Sequence, residues 1–182
     1  MPIKLADWAG GQSVQPLKTI ANYDNFLRRI DRLPAWVDQA TENMREGVRV
    51  GVTQSRSTIE RVLPQLEELS VLDAAKSAFY SPIDRLPETF SKADRMRLTA
   101  NYQRVLSQRL LPAQAKLVAF LKTEYLPKTR ASAGLGTLPN SAAWYAHQVR
   151  DNTSTNLSFA AIHALGLKEV TRVRDEMELI RI

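Results

Sequence analysis

His147 and His163 are the side chains best suited to metal or proton chemistry in a chain without cysteine. A helical zinc-peptidase site needs two histidines four apart, with a glutamate between them acting as general base. That spacing brings both imidazoles to about 2 Å from one ion. Here the two lie 16 positions apart, and neither has a second histidine at i+4. No catalytic residue and no metal ligand set is therefore assigned. Serine chemistry lacks its G-x-S-x-G elbow. Gly134-Leu135-Gly136 lacks the later glycine, lysine and Ser/Thr of a phosphate loop. The carboxylates Glu67-Glu68 and Glu176/Glu178 fall on helix exteriors, where they solvate the surface. The plain expectation for His163 is a partly buried ring bonded to a backbone carbonyl. His147, three residues after Trp144, is expected at the surface or stacked on an aromatic ring.

The elements that must position these residues are helical almost throughout, with no convincing alternating strand. An extended arm is expected over 1–16, a helical array over 17–126, a Gly/Pro connector over 127–139, and two C-terminal helices over 140–182. The fold expected is a single all-α domain: an irregular array of about six helices whose connector has room for a short strand. Ile20, Tyr23, Leu27 and Ile30 form the stripe of a first helix. Pro34 suits the first turn of a second, where a missing N–H has no partner in any case. A third helix starts at Ser55, with Pro64 marking a kink or a late start. Phe79, Tyr80, Ile83 and Phe90 are expected to fold back from an irregular segment. Ser91 then caps the longest helix, with Asp94 at the capping-box position. Unbroken from 92 to 125 it would run about 50 Å, against a domain roughly 40 Å across. Pro112 is expected to kink or divide it. The last helix carries Ile162, Val170, Val173, Met177 and Ile180 as an inward stripe. Gly166 lies on that stripe and suggests a close helix crossing.

The chain has 182 residues, with 25 Lys and Arg against 19 Asp and Glu for a net charge of +6. This length is enough to bury a core without staples. The basic residues are interleaved with acids: Arg28, Arg29 and Arg32 with Asp24 and Asp31, and Arg172 and Arg174 with Glu169 and Asp175. Phosphate backbones call for clustered cations, so the pattern argues against nucleic acid as a partner. No apolar run reaches the ~20 residues of a membrane span. The absence of cysteine fits cytoplasm or periplasm equally, and the N-terminal residues are too polar for a secretory core. The compartment stays open between cytoplasmic and periplasmic or secreted.

One stretch is more distinctive than the rest. The turn Gly134-Leu135-Gly136 with Leu138-Pro139-Asn140, the pair Trp144-Tyr145, and the run Ile162 to Leu167 with Glu169-Val170 resemble the domain of unknown function 885 family of bacterial proteins. Asn22 to Leu27, Gly47 to Val62 and Glu124 to Pro127 share the likeness, which extends over most of the chain from Leu17 onward. Ser141 stands where members often have glycine. The resemblance implies a zincin-like, metallopeptidase-related parent much longer than this chain, with its histidine–glutamate zinc motif downstream. Zinc is then expected only in that downstream part, and no cofactor in this chain. The remainder of the parent polypeptide is the expected partner, and a peptide the expected substrate. On that basis Gly136, Leu138, Asn140, Trp144, Tyr145 and His163 are the candidate substrate-binding residues, in a non-catalytic helical portion that supports the cleft. The alternative is a stand-alone helical protein-interaction module without enzymatic activity, all of whose apolar stripes are covered.

Overall fold

The computed structural model describes residues 2–10, 15–71 and 73–181. They are all-α: among the described residues the only β feature is an isolated parallel bridge between Ser55 and Arg130. The chain divides into two compact units, Met1–Ala133 and Gly134–Ile182.

The first unit is built on α2 (Ile20–Arg49). Thr19 opens it with a capping box in which its hydroxyl accepts from the Asn22 amide and the Asn22 side chain accepts from the Thr19 amide. The sequence suggested a break at Pro34, yet the helix runs straight through it. Proline removes one backbone bond and crowds the preceding turn, costing about 3 kcal/mol. Ile30, Leu33 and Val37 remain on one buried stripe only if the helix continues, and that burial outweighs the lost bond. Gly51, at φ 75°, then reverses the chain. The Val52 amide returns to the Gly47 carbonyl at 2.7 Å. Next, α3 (Arg56–Glu68) begins where expected, capped by Ser55, and it too absorbs its proline, Pro64.

The segment from Ala74 to Tyr80 folds as 3₁₀ turns and leads into the single turn α4 (Ser81–Asp84). It returns Phe79 and Ile83 to the core, as expected. After the Ser91 cap come α5 (Lys92–Val105) and α6 (Leu111–Phe120). A π turn, Leu106–Leu110, joins these two, and another, Leu121–Tyr125, follows α6. Each π turn stands directly before a Leu-Pro pair, closed by Leu111 N–H to Leu106 O and by Leu126 N–H to Leu121 O. Widening the turn moves a carbonyl away from the proline ring. Pro112 therefore does interrupt the regular helix, through a π turn.

Ion pairs record how α2 and α5–α6 lie together. Asp24 meets Arg97 at 2.9 Å, Asp31 meets Arg109 at 2.8 Å, Asp38 meets Lys116 at 3.8 Å and Arg45 meets Glu124 at 2.9 Å. Both series ascend together, so the helices run parallel, and the α2 members recur every seven residues. Exposed pairs of this kind contribute little stability but specify register. Beneath them the Tyr102 hydroxyl donates to the Tyr23 carbonyl at 2.9 Å, fully buried. The core forms two clusters. One joins Tyr23 to Leu33 of α2 with Leu98 to Leu111; the other joins Val37 with Ile59, Leu63, Leu66, Leu117 and Phe120.

The expected N-terminal arm is corrected by α1 (Pro2–Ala9), while residues 11–14 of that arm lie outside those described. Ala9 is fully buried and Trp8 packs against the first cluster. The cap arrives from far along the chain. Arg85 donates to the carbonyls of Ala9, at 2.7 Å, and Gly10, and Ser81 donates to Ala9 at 3.0 Å. A basic side chain on the last carbonyls of a helix stabilises it. Local spacing gives no sign of a cap contributed by residue 85.

The second unit comprises a 3₁₀ turn, Leu135–Thr137, then α7 (Ser141–Thr153) and α8 (Phe159–Ile180). The two C-terminal helices fall where expected, but the inward stripe of α8 does not. Val170, Val173, Met177 and Ile180 are all exposed, and Ile162 is only half-buried. A Cβ built on Gly166 would meet nothing within 4 Å, so the crossing expected there is absent among the described residues. Ile182 lies outside those residues.

Candidate functional site

The second unit contains an open cleft of about 430 Å³ between α7 and α8. Its α7 wall is Tyr145, Gln148, Val149, Asn152 and Thr153, a stripe at i, i+3, i+4, i+7 and i+8; Phe159, Ile162 and His163 form the α8 wall. Two left-handed residues set the ends of α7. Asn140, at φ 55°, precedes its first turn, and Ser154, at φ 55°, follows its last. Asparagine tolerates that region well because its short side chain bonds locally. The Ser141 hydroxyl donates to the Gly136 carbonyl at 3.2 Å, tying the glycine turn to the helix start. At the other end Ser158 caps α8 by accepting from Ala161 N–H at 3.2 Å.

Tyr145 and Phe159 pack edge to face, centroids 5.6 Å apart, which holds one end of the cleft together. The Asn152 amide is occupied by the Gln148 carbonyl at 2.8 Å and the Thr153 hydroxyl by the Val149 carbonyl at 2.7 Å. Tyr145, Gln148 and His163, all exposed, bring a phenol, an amide and an imidazole to the cleft. Carboxylate, lysine and arginine are all absent from the lining. The cleft is thus an apolar floor of Val149, Phe159 and Ile162 edged by neutral donors and acceptors.

Of the residues singled out from sequence, the structure brings together Tyr145 and His163. Gly136, Leu138, Asn140 and Trp144 do not line the cleft. Gly136 sits in the 3₁₀ turn with open space around it, Leu138 is buried, Asn140 precedes α7 and Trp144 is exposed on α7. His163 is exposed, not half-buried as expected, and His147 is on the surface. Among the described residues no group of three or more His, Cys, Asp or Glu is placed to hold a metal ion. Sequence reasoning missed Gln148, Val149, Asn152, Thr153, Phe159 and Ile162 as lining. The α7 members could have been found by following the helical period onward from Tyr145.

These features define an all-helical protein with an open, neutral cleft on a two-helix unit. The chain belongs to the bacterial protein family of unknown function DUF885, whose model matches residues 5–181. It is similar in fold to a solved structure described as "the putative lipoprotein from Colwellia psychrerythraea", with a TM-score of 0.81 and 19% identity. The match covers 91% of this chain but only 29% of that one. No curated protein matches. Among the described residues no helix is long and apolar enough to cross a membrane.

Proposed function

We propose that this chain is a non-catalytic helical portion of a longer bacterial protein, and that its α7–α8 cleft borders the path of that protein's substrate. One observation carries the reading: Tyr145 and His163, on different helices, share a cleft edged by neutral polar groups. Neutral amides, a phenol and an imidazole over an apolar floor match the alternating polarity of a peptide better than they match a phosphate or a bare cation. Peptide is accordingly the substrate class, and the hydrolytic, zinc-dependent chemistry belongs to the downstream part of the parent. The length of the similar chain, roughly seven-tenths of which lies outside the match, supports a parent of that kind. A periplasmic or secreted location suits it, since that similar protein is described as a lipoprotein.

The test is peptide hydrolysis by the complete gene product, with Tyr145→Ala and His163→Ala compared against the unaltered protein on a mixed peptide library read by mass spectrometry. Loss of a substrate-positioning contact is expected to raise KM and lower kcat/KM about tenfold or more, the equivalent of about 1.4 kcal/mol. Unchanged cleavage by both variants would remove the cleft from the substrate path.

A further inference from the structure

On α8 the residues Gly166, Val170, Val173, Met177 and Ile180 recur at spacings of four, three, four and three, a seam within about 80° of the helix circumference. None of them is covered: Met177 is 64% exposed and Ile180 81%. Charged side chains flank the seam, with Arg172 tied to Glu169 and Glu176 at 2.8 and 2.6 Å along one edge, and the exposed Leu165, Leu167 and Leu179 lie outside it. An amphipathic helix with an apolar seam facing water is a surface in want of a partner.

Gly166 sharpens the description of that partner. Glycine is the poorest helix former after proline, and nothing among the described residues calls for it: a Cβ there would meet nothing within 4 Å, and its φ lies outside the left-handed range. A glycine on the seam is explained if another backbone comes closer at that point than a side chain would permit. Seams of this spacing pack against helices, side chains of one inserting between those of the other.

We propose that the Gly166–Ile180 seam of α8 is the interface for a helix from the remainder of the same polypeptide, which crosses α8 most closely at Gly166. The proposal rests on the reading of this chain as part of a longer protein, which the limited share of the similar chain supports. It does not depend on the cleft binding substrate, because Val173 and Met177 lie outside the cleft lining.

The chain contains no cysteine, so an introduced one is its only labelling site. Val173→Cys, Met177→Cys and, as an outward-facing control, Thr171→Cys are made in this chain and in the complete gene product. Labelling by a maleimide is followed at each position by peptide mass. In this chain all three should label fast. In the complete product positions 173 and 177 should label at least about 100-fold more slowly, as at sites reached only by local opening, while 171 stays fast. Gly166→Leu should then restore fast labelling at 173 in the complete product without unfolding this chain. Equal rates in both proteins would overturn the proposal, as would a gene product no longer than this chain. Protection already present in this chain, together with a dimer in sedimentation, would assign the seam to a second copy instead. If Tyr145→Ala and His163→Ala both leave peptide cleavage unchanged while 173 remains protected, the cleft reading fails and the seam stands.

Discussion

Gln114 lies on α6 with 2% of its surface exposed, and among the described residues neither its amide nitrogen nor its amide oxygen has a hydrogen-bond partner. It sits at the division of the core, after Leu111 of one cluster and before Leu117 of the other. Replacing it with methionine keeps the length and flexibility of the side chain and removes both polar atoms. A buried amide without partners costs about 1–3 kcal/mol, and Gln and Met have similar helix propensity. Gln114→Met is therefore expected to stabilise the chain by about 1–3 kcal/mol. With a urea slope of about 1–3 kcal/mol per molar, the unfolding midpoint should rise by about 1 M at unchanged slope. Circular dichroism at 222 nm is the readout. A fall in the midpoint equivalent to 1 kcal/mol or more would refute the reasoning, because it would mean the amide gains more from its surroundings than it loses by burial.

Two further outcomes follow from the same packing. Burial holds the Tyr102 phenol well above its ordinary value of 10.0, and burial raises that of Tyr23 as well. The unfolded chain releases these protons near pH 10 while the folded chain retains them, so stability is full below pH 10 and falls as pH rises beyond it. Urea midpoints between pH 9 and 11.5 should show a decline approaching about 1.4 kcal/mol per pH unit from Tyr102, with a smaller part from Tyr23, and a flat profile would contradict the buried hydrogen bond. Gly47→Ala is expected to destabilise by about 1–3 kcal/mol, because the new Cβ would stand 2.6 Å from the Val52 carbonyl oxygen; a thermal melt within 1 °C of the parent would show that this turn is looser than its geometry.

The helical class, the start of α3 at Ser55, the Ser91 cap and the return of Phe79 and Ile83 were legible because each rests on a signal within a few residues. What was hidden depends on partners elsewhere. The helix at Pro2–Ala9 is completed by Arg85 and Ser81. The uninterrupted course of α2 through Pro34 follows from a core stripe shared with distant helices. The seam of α8 shows the reverse error, since periodicity marks an apolar face without saying whether this chain covers it. In the cleft, Tyr145 and His163 drew notice through the family resemblance together with their chemical type. Val149 and Ile162, as unremarkable aliphatics, acquire meaning only from the approach of α7 to α8.

The π turns before Pro112 and Pro127 act as phase joints in the long helix. A regular helix advances by about 100° per residue, so one residue removed from Leu106–Leu110 would turn everything beyond it by that angle. Leu117 and Phe120 would swing away from Val37, and the Pro112 ring would be driven back onto the carbonyl of the preceding turn. The count of residues between Tyr102 and Leu117 is thus locked by two independent demands, one from the core and one from the proline. Insertions and deletions among natural relatives should be rare in this stretch.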